Sequence, residues 1–458
     1  FEIPGLPHSA HDAPAAALVQ PPGRRASLRG GPALEGSGPR AGADMSAEAA
    51  ERPLSSHAPL GFAAFVALVA ALMALNAVAT DIMLPALPMI GDALGAPTPN
   101  DRQTVVTAYL AGFGVGQILI GPLSDRYGRR PVLMCGLVAY ALGAALCAVS
   151  TDFVGLLAAR VAQGLGAAAP RVIVTALVRD CYGGRRMAKV MSLAMMTFMA
   201  VPILAPAVGQ GILLAASWRA IFWFLALYAA VVLAIAALRL PETLPTEWRR
   251  AITPLGVARS MGEVLSNRQT VGYALASGAF FGALFAFIAS AQQILVGLYD
   301  LGLWFPLAFG GIASAIAVAA FANAMLVGRF GMRALSHGAV ILFTLVSLAL
   351  AGLATQGQPP LWAFLGLLGG AMGLVGLVFS NFNALAMEPM ARVAGVASSL
   401  IGGSTTLIGA TLGFFIGRAY DGTVLPLALG YAGSGVATIL ILLATERGRL
   451  FRAEHAPA

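Results

Sequence analysis

The sequence predicts an all-α membrane protein of twelve transmembrane helices in two six-helix halves, with both termini cytoplasmic. Three observations predict it. The 458 residues are 58% hydrophobic and only 10% charged, with a mean hydropathy of +0.81, a balance that excludes a water-soluble domain of this size. Apolar runs of roughly 18 to 27 residues, each long enough to cross a hydrocarbon core of about 30 Å, recur along the chain. Between them, Arg and Lys gather in every second loop, as retention of positive charge on the cytoplasmic side requires.

Residues 1–57 are rich in Pro, Gly, Ala and Arg without an apolar run and are expected to be disordered. Met45 lies just ahead of the first span and is the expected initiator, so the residues before it read as an upstream extension of the frame. Arg24 and Arg25 form a twin-arginine pair, but no short apolar region with a cleavage site follows, and an export signal is rejected. The first half, 58–244, holds spans at 60–88, 104–123, 131–150, 153–178, 190–215 and 218–240. A cytoplasmic linker at 245–268 leads to the second half, 269–445, with spans at 270–296, 305–327, 338–353, 361–385, 393–417 and 424–444. Residues 446–458 form a cytoplasmic tail.

The cytoplasmic set comprises Arg126, Arg129 and Arg130; Arg179, Arg185, Arg186 and Lys189; Arg249, Arg250, Arg259 and Arg268; Arg329 and Arg333; and Arg447, Arg449 and Arg452. The net charge of +8 is thereby explained by topology and by attraction to anionic lipid headgroups, and no nucleic-acid partner is implied. A phosphate-binding GxxxxGK loop needs a Lys, and the single lysine, Lys189, lacks that context, which leaves an ion gradient as the energy source. Cys135, Cys147 and Cys181 have no metal-binding spacing and no disulfide is expected; neither cofactor nor metal is implied.

The loop GPLSDRYGRRP at 121–131 leaves and re-enters the membrane on one side within about ten residues. Its Gly121, Asp125, Arg126, Gly128, Arg129 and Arg130 resemble the signature between the second and third helices of major facilitator superfamily transporters. Arg329, Phe330, Gly331 and Arg333 repeat part of it at the start of the third helix of the second half, with Gly328 in place of the acid. Further segments resemble the Bcr/CflA group of multidrug exporters within that superfamily. ATDIMLPALP at 79–88 resembles helix 1 of the group, and AARVAQGLGAAAPRVIVTALVRD at 158–180 resembles helix 4. APAVG at 205–209 resembles the helix 5 antiporter motif, WRAIFW with LPETL helix 6 and its exit, and AGVASSLIG at 394–402 helix 11. Gln210 departs from a usual Gly, and Gln292 with Gln293 depart from a small residue and Pro in helix 7, both at positions suited to line a substrate path.

An ionisable residue inside a membrane costs about 2.5 to 3.5 kcal/mol even on insertion scales and is a functional candidate by default. Only Asp81 among the acids, and Arg160 and Arg171 among the bases, lie well within apolar spans. His8, His11, His57, His337 and His455 do not fall deep in a predicted helix, which leaves no histidine proton relay. Asp81 and Arg160 each lie about seven residues, roughly 10 Å, from the outer end of their helices and share a depth. Arg160, Gln163, Gly164, Ala167 and Arg171 fall on one helical face, polar and small, expected to border an aqueous cavity. Asp81 is either paired to Arg160 or carries a proton in exchange with a cationic or polar substrate; the resemblance assigns the Arg160 position to proton coupling. The alternative reading has Asp81 capping a helix at the outer interface and Arg171 snorkelling to the inner one.

Asp125 faces the positively polarised start of helix 11 in this reading, while Gly121 lets the two backbones approach. The resemblance implies that this contact latches the inner side, and the arginines beside it also anchor topology. Pro202 and Pro206 interrupt the hydrogen-bond ladder of helix 5, which with Gly209 suits a moving gate. Gln292 and Asn381 are cavity candidates; Asn383, Ser398, Ser399, Ser404 and Thr405 suit either the cavity or helix-helix contacts. Met191, Met195, Met196 and Met199, with Phe280, Phe281, Phe285 and Phe287, offer adaptable apolar surface or lipid-facing packing. The expected protein is a monomeric, multi-pass carrier of the bacterial inner membrane, a proton-coupled antiporter exporting small amphipathic compounds. A same-fold carrier of one metabolite and a transporter-like sensor are the alternatives.

Overall fold

A computed structural model describes residues 60–248 and 254–451. The expected disorder of 1–57, with Arg24, Arg25 and Met45, and the positions of Arg249, Arg250 and Arg452, lie outside the described residues. Among the described residues there is no strand, and twelve α-helices reach 20 residues or more. These are α1 (Phe62–Asp81), α2 (Thr104–Tyr127), α3 (Arg129–Val149), α4 (Phe153–Cys181), α5 (Gly184–Ala215) and α6 (Arg219–Arg239). In the second half they are α7 (Arg268–Gln292), α8 (Phe305–Phe330), α9 (Met332–Ala354), α10 (Leu361–Met387), α11 (Ala394–Arg418) and α12 (Leu425–Thr445).

Eleven helical segments are apolar and long enough to cross a membrane, and one of them, Leu361–Arg418, is 58 residues long and contains both α10 and α11. Its break is the 3₁₀ turn Glu388–Val393, where a proline enters at the start and Met390 leaves helical geometry at φ −106°, ψ 20°. The first predicted span is also broken. Its apolar helical stretch continues to Leu94, but α1 stops at Asp81; Pro85 in the turn Leu84–Ala86 and Pro88 in the short helix Leu87–Leu94 each remove an N–H donor. Asp81 is therefore not at a helix end facing solvent, because thirteen more residues of apolar chain follow it and it is 3% exposed. The predicted linker contains a 13-residue helix, Pro254–Ser266. Despite Pro202 and Pro206, α5 is one continuous helix of 32 residues.

In the first half, α4 is seated between α2 and α3 by small residues. A Cβ on Gly166 would stand 2.6 Å from the Gly136 carbonyl oxygen of α3, and one on Gly164 would stand 2.8 Å from the Phe113 nitrogen of α2. Lipid tails are as apolar as Leu, so membrane helices gain by close backbone approach, which glycine permits. In the second half α7 is central, packing on α10, α11 and α12, with Phe280 and Phe287 buried against Phe343, Phe382 and Phe309.

The halves meet along two seams, α2 with α11 and α5 with α8. At mid-depth in the first seam Gln117 Nε2 donates to Thr406 Oγ1 at 2.9 Å, both buried. The internal repeat survives in the backbone. Gly128 between α2 and α3 adopts φ 101°, ψ 160°, and Gly331 between α8 and α9 adopts φ 81°, ψ 157°, a region that only glycine enters at little cost.

Replacing Gly164 with Val is expected to force α2 and α4 apart and destabilise the protein by about 3 kcal/mol, the upper range of overpacking. The melting midpoint of the detergent-solubilised protein reads this; an unchanged midpoint would contradict the packing account.

Candidate functional site

Arg160 is the most enclosed charge among the described residues, with 0% exposure. Its Nε donates to the Val105 carbonyl of α2 at 3.1 Å, Nη1 to Gln163 Oε1 at 2.7 Å, and Nη2 to the Ala79 carbonyl of α1 at 3.1 Å. Its guanidinium carbon lies 4.4 Å from the Tyr109 ring centre and 5.9 Å from that of Phe222 on α6. Four helices thus converge on one cation, which is held by neutral acceptors and aromatic faces.

Asp81 is brought into the same neighbourhood but is not paired with Arg160. The guanidinium spends its Nη2 hydrogen bond on Ala79, two residues before Asp81, and Oδ1 of Asp81 is buried without a partner. Around them Tyr109 donates to Asn76 Oδ1 at 3.0 Å, and Tyr140 and Tyr228 donate to the Leu75 and Ala71 carbonyls. Sequence reasoning missed these tyrosines, because a single aromatic in an apolar span gives no signal until the fold collects them. Gln163 is 0% exposed, with Nε2 unpartnered. Arg171, further along α4, is partly buried, and among the described residues its side chain forms no hydrogen bond, ion pair or ring contact.

The arginine-rich end carries the loop residues. Asp125 accepts from Arg129 Nη1 at 2.6 Å, and the same nitrogen donates to Ser124 Oγ at 2.7 Å. A Cβ on Gly395, the second residue of α11, would stand 3.4 Å from Asp125 Oδ2, and one on Gly121 would strike the Ser399 hydroxyl. Arg129 Nε also lies 3.5 Å from Asp180 of α4. Asp125, Arg129, Arg179, Asp180, Arg392 and the start of α11 line a cleft of about 330 Å³. Glu242, just beyond α6, accepts from the Arg129 backbone N–H at 2.9 Å and from that of Arg130 at 3.3 Å, capping α3 with a carboxylate where the helix dipole favours one. Arg130 Nη2 reaches the Ala237 carbonyl, and exposed Arg126 stacks on Tyr127.

At the opposite end the halves are joined by a clasp of amides. Gln103 Nε2 donates to Gln293 Oε1 at 2.5 Å and to the Gly417 carbonyl at 2.9 Å; Gln293 Nε2 donates to Asn100 Oδ1 at 2.9 Å. Asn100 Nδ2 in turn reaches the Arg418 and Tyr420 carbonyls, and an exposed Arg418 lies 3.6 Å from Asp101. Gln293, expected beside a substrate path, binds one half to the other, while among the described residues the side chain of partly buried Gln292 makes no hydrogen bond. Gly209 of α5 abuts the Ile82 carbonyl of the α1 break, and Pro206 is buried while Pro202 is partly so.

One expectation needs correction, that for His337. Asn381, a cavity candidate, is 3% exposed and donates to Asn323 Oδ1 of α8 at 2.7 Å, a buried amide satisfied by a second amide on the adjacent helix. His337 does lie inside a helix, in the second turn of α9, and is 1% exposed. Its Nδ1 accepts from the Phe451 N–H, which leaves Nε2 to donate to Tyr273, whose hydroxyl donates to Glu446 at 2.6 Å; Arg333 Nε also reaches Glu446.

Two apolar helical halves, a buried intramembrane cation and a clasp between the halves define a multi-pass membrane transporter. The family model of the Major Facilitator Superfamily matches residues 69–414, and the chain belongs to that superfamily. It is 35% identical over 298 residues to a chloramphenicol resistance protein of Pseudomonas aeruginosa, covering 61% of this chain and 68% of that one. It is 29% identical over 370 residues to a bicyclomycin resistance protein homolog of Haemophilus influenzae, covering 79% of this chain and 90% of that one. The xylose transporter XylE from E. coli, in a partially occluded inward open conformation, superposes with a TM-score of 0.64 at 12% identity, covering 84% of this chain and 97% of that one. The chain is thus a transporter of Bcr/CflA type rather than an enzyme, in the bacterial inner membrane.

Gln293→Ala removes three inter-half hydrogen bonds, to Gln103, Asn100 and Pro99, about 1 kcal/mol each net, so separation of this end is expected to rise about 150-fold. Spin labels at Thr151→Cys and Gln356→Cys, in exposed loops of the two halves, should show a longer-distance population in the variant. Identical distance distributions would show that the clasp does not hold the halves together.

Proposed function

We propose that the protein is a proton-coupled antiporter that exports small amphipathic compounds, antibiotics among them, with both termini and the arginine-rich end cytoplasmic. The observation that carries the reading is Arg160, a fully enclosed cation with no carboxylate on it, beside Asp81, an enclosed carboxyl with an unpartnered oxygen. A buried Asp without a partner is tolerable when protonated and costly when ionised. Loss of its proton creates an anion near a cation that lacks one, and a small rearrangement at the α1 break moves the carboxylate from solitude onto the guanidinium. The break after Asp81 and the contact of Gly209 with Ile82 link that rearrangement to α5, on one of the two seams between the halves.

Proton entry across about 100 mV releases about 2.3 kcal/mol, enough for roughly 50-fold concentration of a neutral cargo in the opposite direction. The resistance functions named for the two relatives support export and an antibiotic-like cargo. The Asp125 contact with the start of α11 serves as the inner latch, and the amide clasp as the outer one.

Asp81→Asn keeps the side chain's size while abolishing its proton, so the variant should reach the membrane at wild-type level yet lose substrate-induced proton release. The measurement is proton release from energised inverted vesicles challenged with chloramphenicol and with cationic and neutral antibiotics. Wild-type release from the Asn variant would remove Asp81 from the coupling step.

A further inference from the structure

We infer that Arg171 is a recognition point for an acidic group of the cargo, a carboxylate or phenolate on a small amphipathic molecule. The inference rests on the transport reading and names the class of compound that the path accepts. Arg171 lies four residues past the midpoint of α4, about 6 Å along the axis, which places its Cα inside the hydrocarbon depth of a membrane about 30 Å thick.

Its position on the helix shows where it points. Ala167, Val174 and Val178 share its stripe and are 1%, 1% and 0% exposed, whereas Thr175, about 40° round the helix on the other side, and Val154, Val161 and Leu165, roughly 80 to 120° round, are exposed. Arg171 therefore sits at the edge of the buried stripe, partly enclosed and partly reachable. A guanidinium offers five donors, and among the described residues this one makes no hydrogen bond, ion pair or ring contact. The next acid along α4, Asp180, is nine residues or about 13.5 Å away and is engaged near Arg129 and Arg179; Asp81 lies toward the other end of the bundle.

The contrast with Arg160 is what gives the inference its content. On the same face, Arg160 is saturated by two backbone carbonyls, Gln163 and two aromatic rings, and has no capacity left for a ligand. Arg171 has all of its capacity left. An interior cation without a protein partner is tolerated where water or a mobile anion reaches it, and a planar fork of donors matches a carboxylate in bidentate fashion. A cationic cargo would be repelled at this point.

The test measures protection of the detergent-solubilised full chain from heat by a panel of arylcarboxylates, each matched with its methyl ester. Wild type, Arg171→Gln and Arg171→Lys are compared. The acids are expected to half-saturate the wild type at about tenfold lower concentration than their esters. That preference should vanish in the Gln variant and persist in part in the Lys variant, while ester binding stays the same in all three. Equal half-saturation by acid and ester in the wild type, or an undiminished acid preference in Arg171→Gln, overturns the inference, as does absence of acid binding. Acid-selective binding without proton-coupled flux in vesicles would instead uphold Arg171 and sink the antiport reading; antiport of neutral compounds without acid preference would do the reverse.

Discussion

The first half is organised around a guanidinium that has been taken out of water without a counter-anion. Arg160 is held by Val105, Ala79 and Gln163, with Tyr109 and Phe222 against its faces, so α1, α2, α4 and α6 are all fixed relative to one side chain. Desolvating an ion is costly, and a partial set of neutral acceptors offsets only part of that cost. Asp81 follows two residues after the Ala79 carbonyl that Arg160 binds, and the two charged groups are not paired. The glycines that seat α4 between α2 and α3 are the other half of the same design: only close backbones bring the Val105 carbonyl and the Tyr109 ring within reach of a residue rooted on α4.

What was legible in the sequence was local. The charged loop at 121–131 carries its chemistry in consecutive residues, and the polar face of α4 follows from spacing alone, so Arg160, Gln163 and Arg171 were identifiable. The Asp125 approach to α11 follows from one glycine and one acid at known places. The pairing of Asp81 with Arg160 was not decidable, because a difference of two residues, about half a helical turn, between Ala79 and Asp81 determines which oxygen the guanidinium meets. The amide clasp was invisible because Gln103 and Gln293 are 190 residues apart and neither belongs to a pattern. The partners of Asn381 and His337 were not legible for a common reason: periodicity tells which face a residue occupies but not whether a polar partner on another helix waits there.

The repeat shows how two copies of one loop diverge. Gly128 and Gly331 keep the same backbone conformation, and each half sends a glutamate, Glu242 or Glu446, back from beyond its sixth helix to the start of its third. In the first copy the carboxylate caps backbone N–H groups and the neighbouring acid is free to approach α11. In the second copy Gly328 has replaced the acid, and Glu446 is absorbed into a buried cluster with Tyr273, His337 and Arg333. One loop thus remains a contact between halves, while the other has become an internal fastening of its own half.

The clasp at the end away from the arginine loop is built almost entirely from side-chain amides and main-chain carbonyls, with a single exposed ion pair at its edge. Amides neither gain nor lose protons over the biological range, and their hydrogen bonds are little screened by salt. Acidity or salinity of the surrounding medium therefore leaves this fastening nearly untouched. The strength of this fastening is thus set by the geometry of neutral groups, at whichever pH and salt concentration that end of the molecule meets.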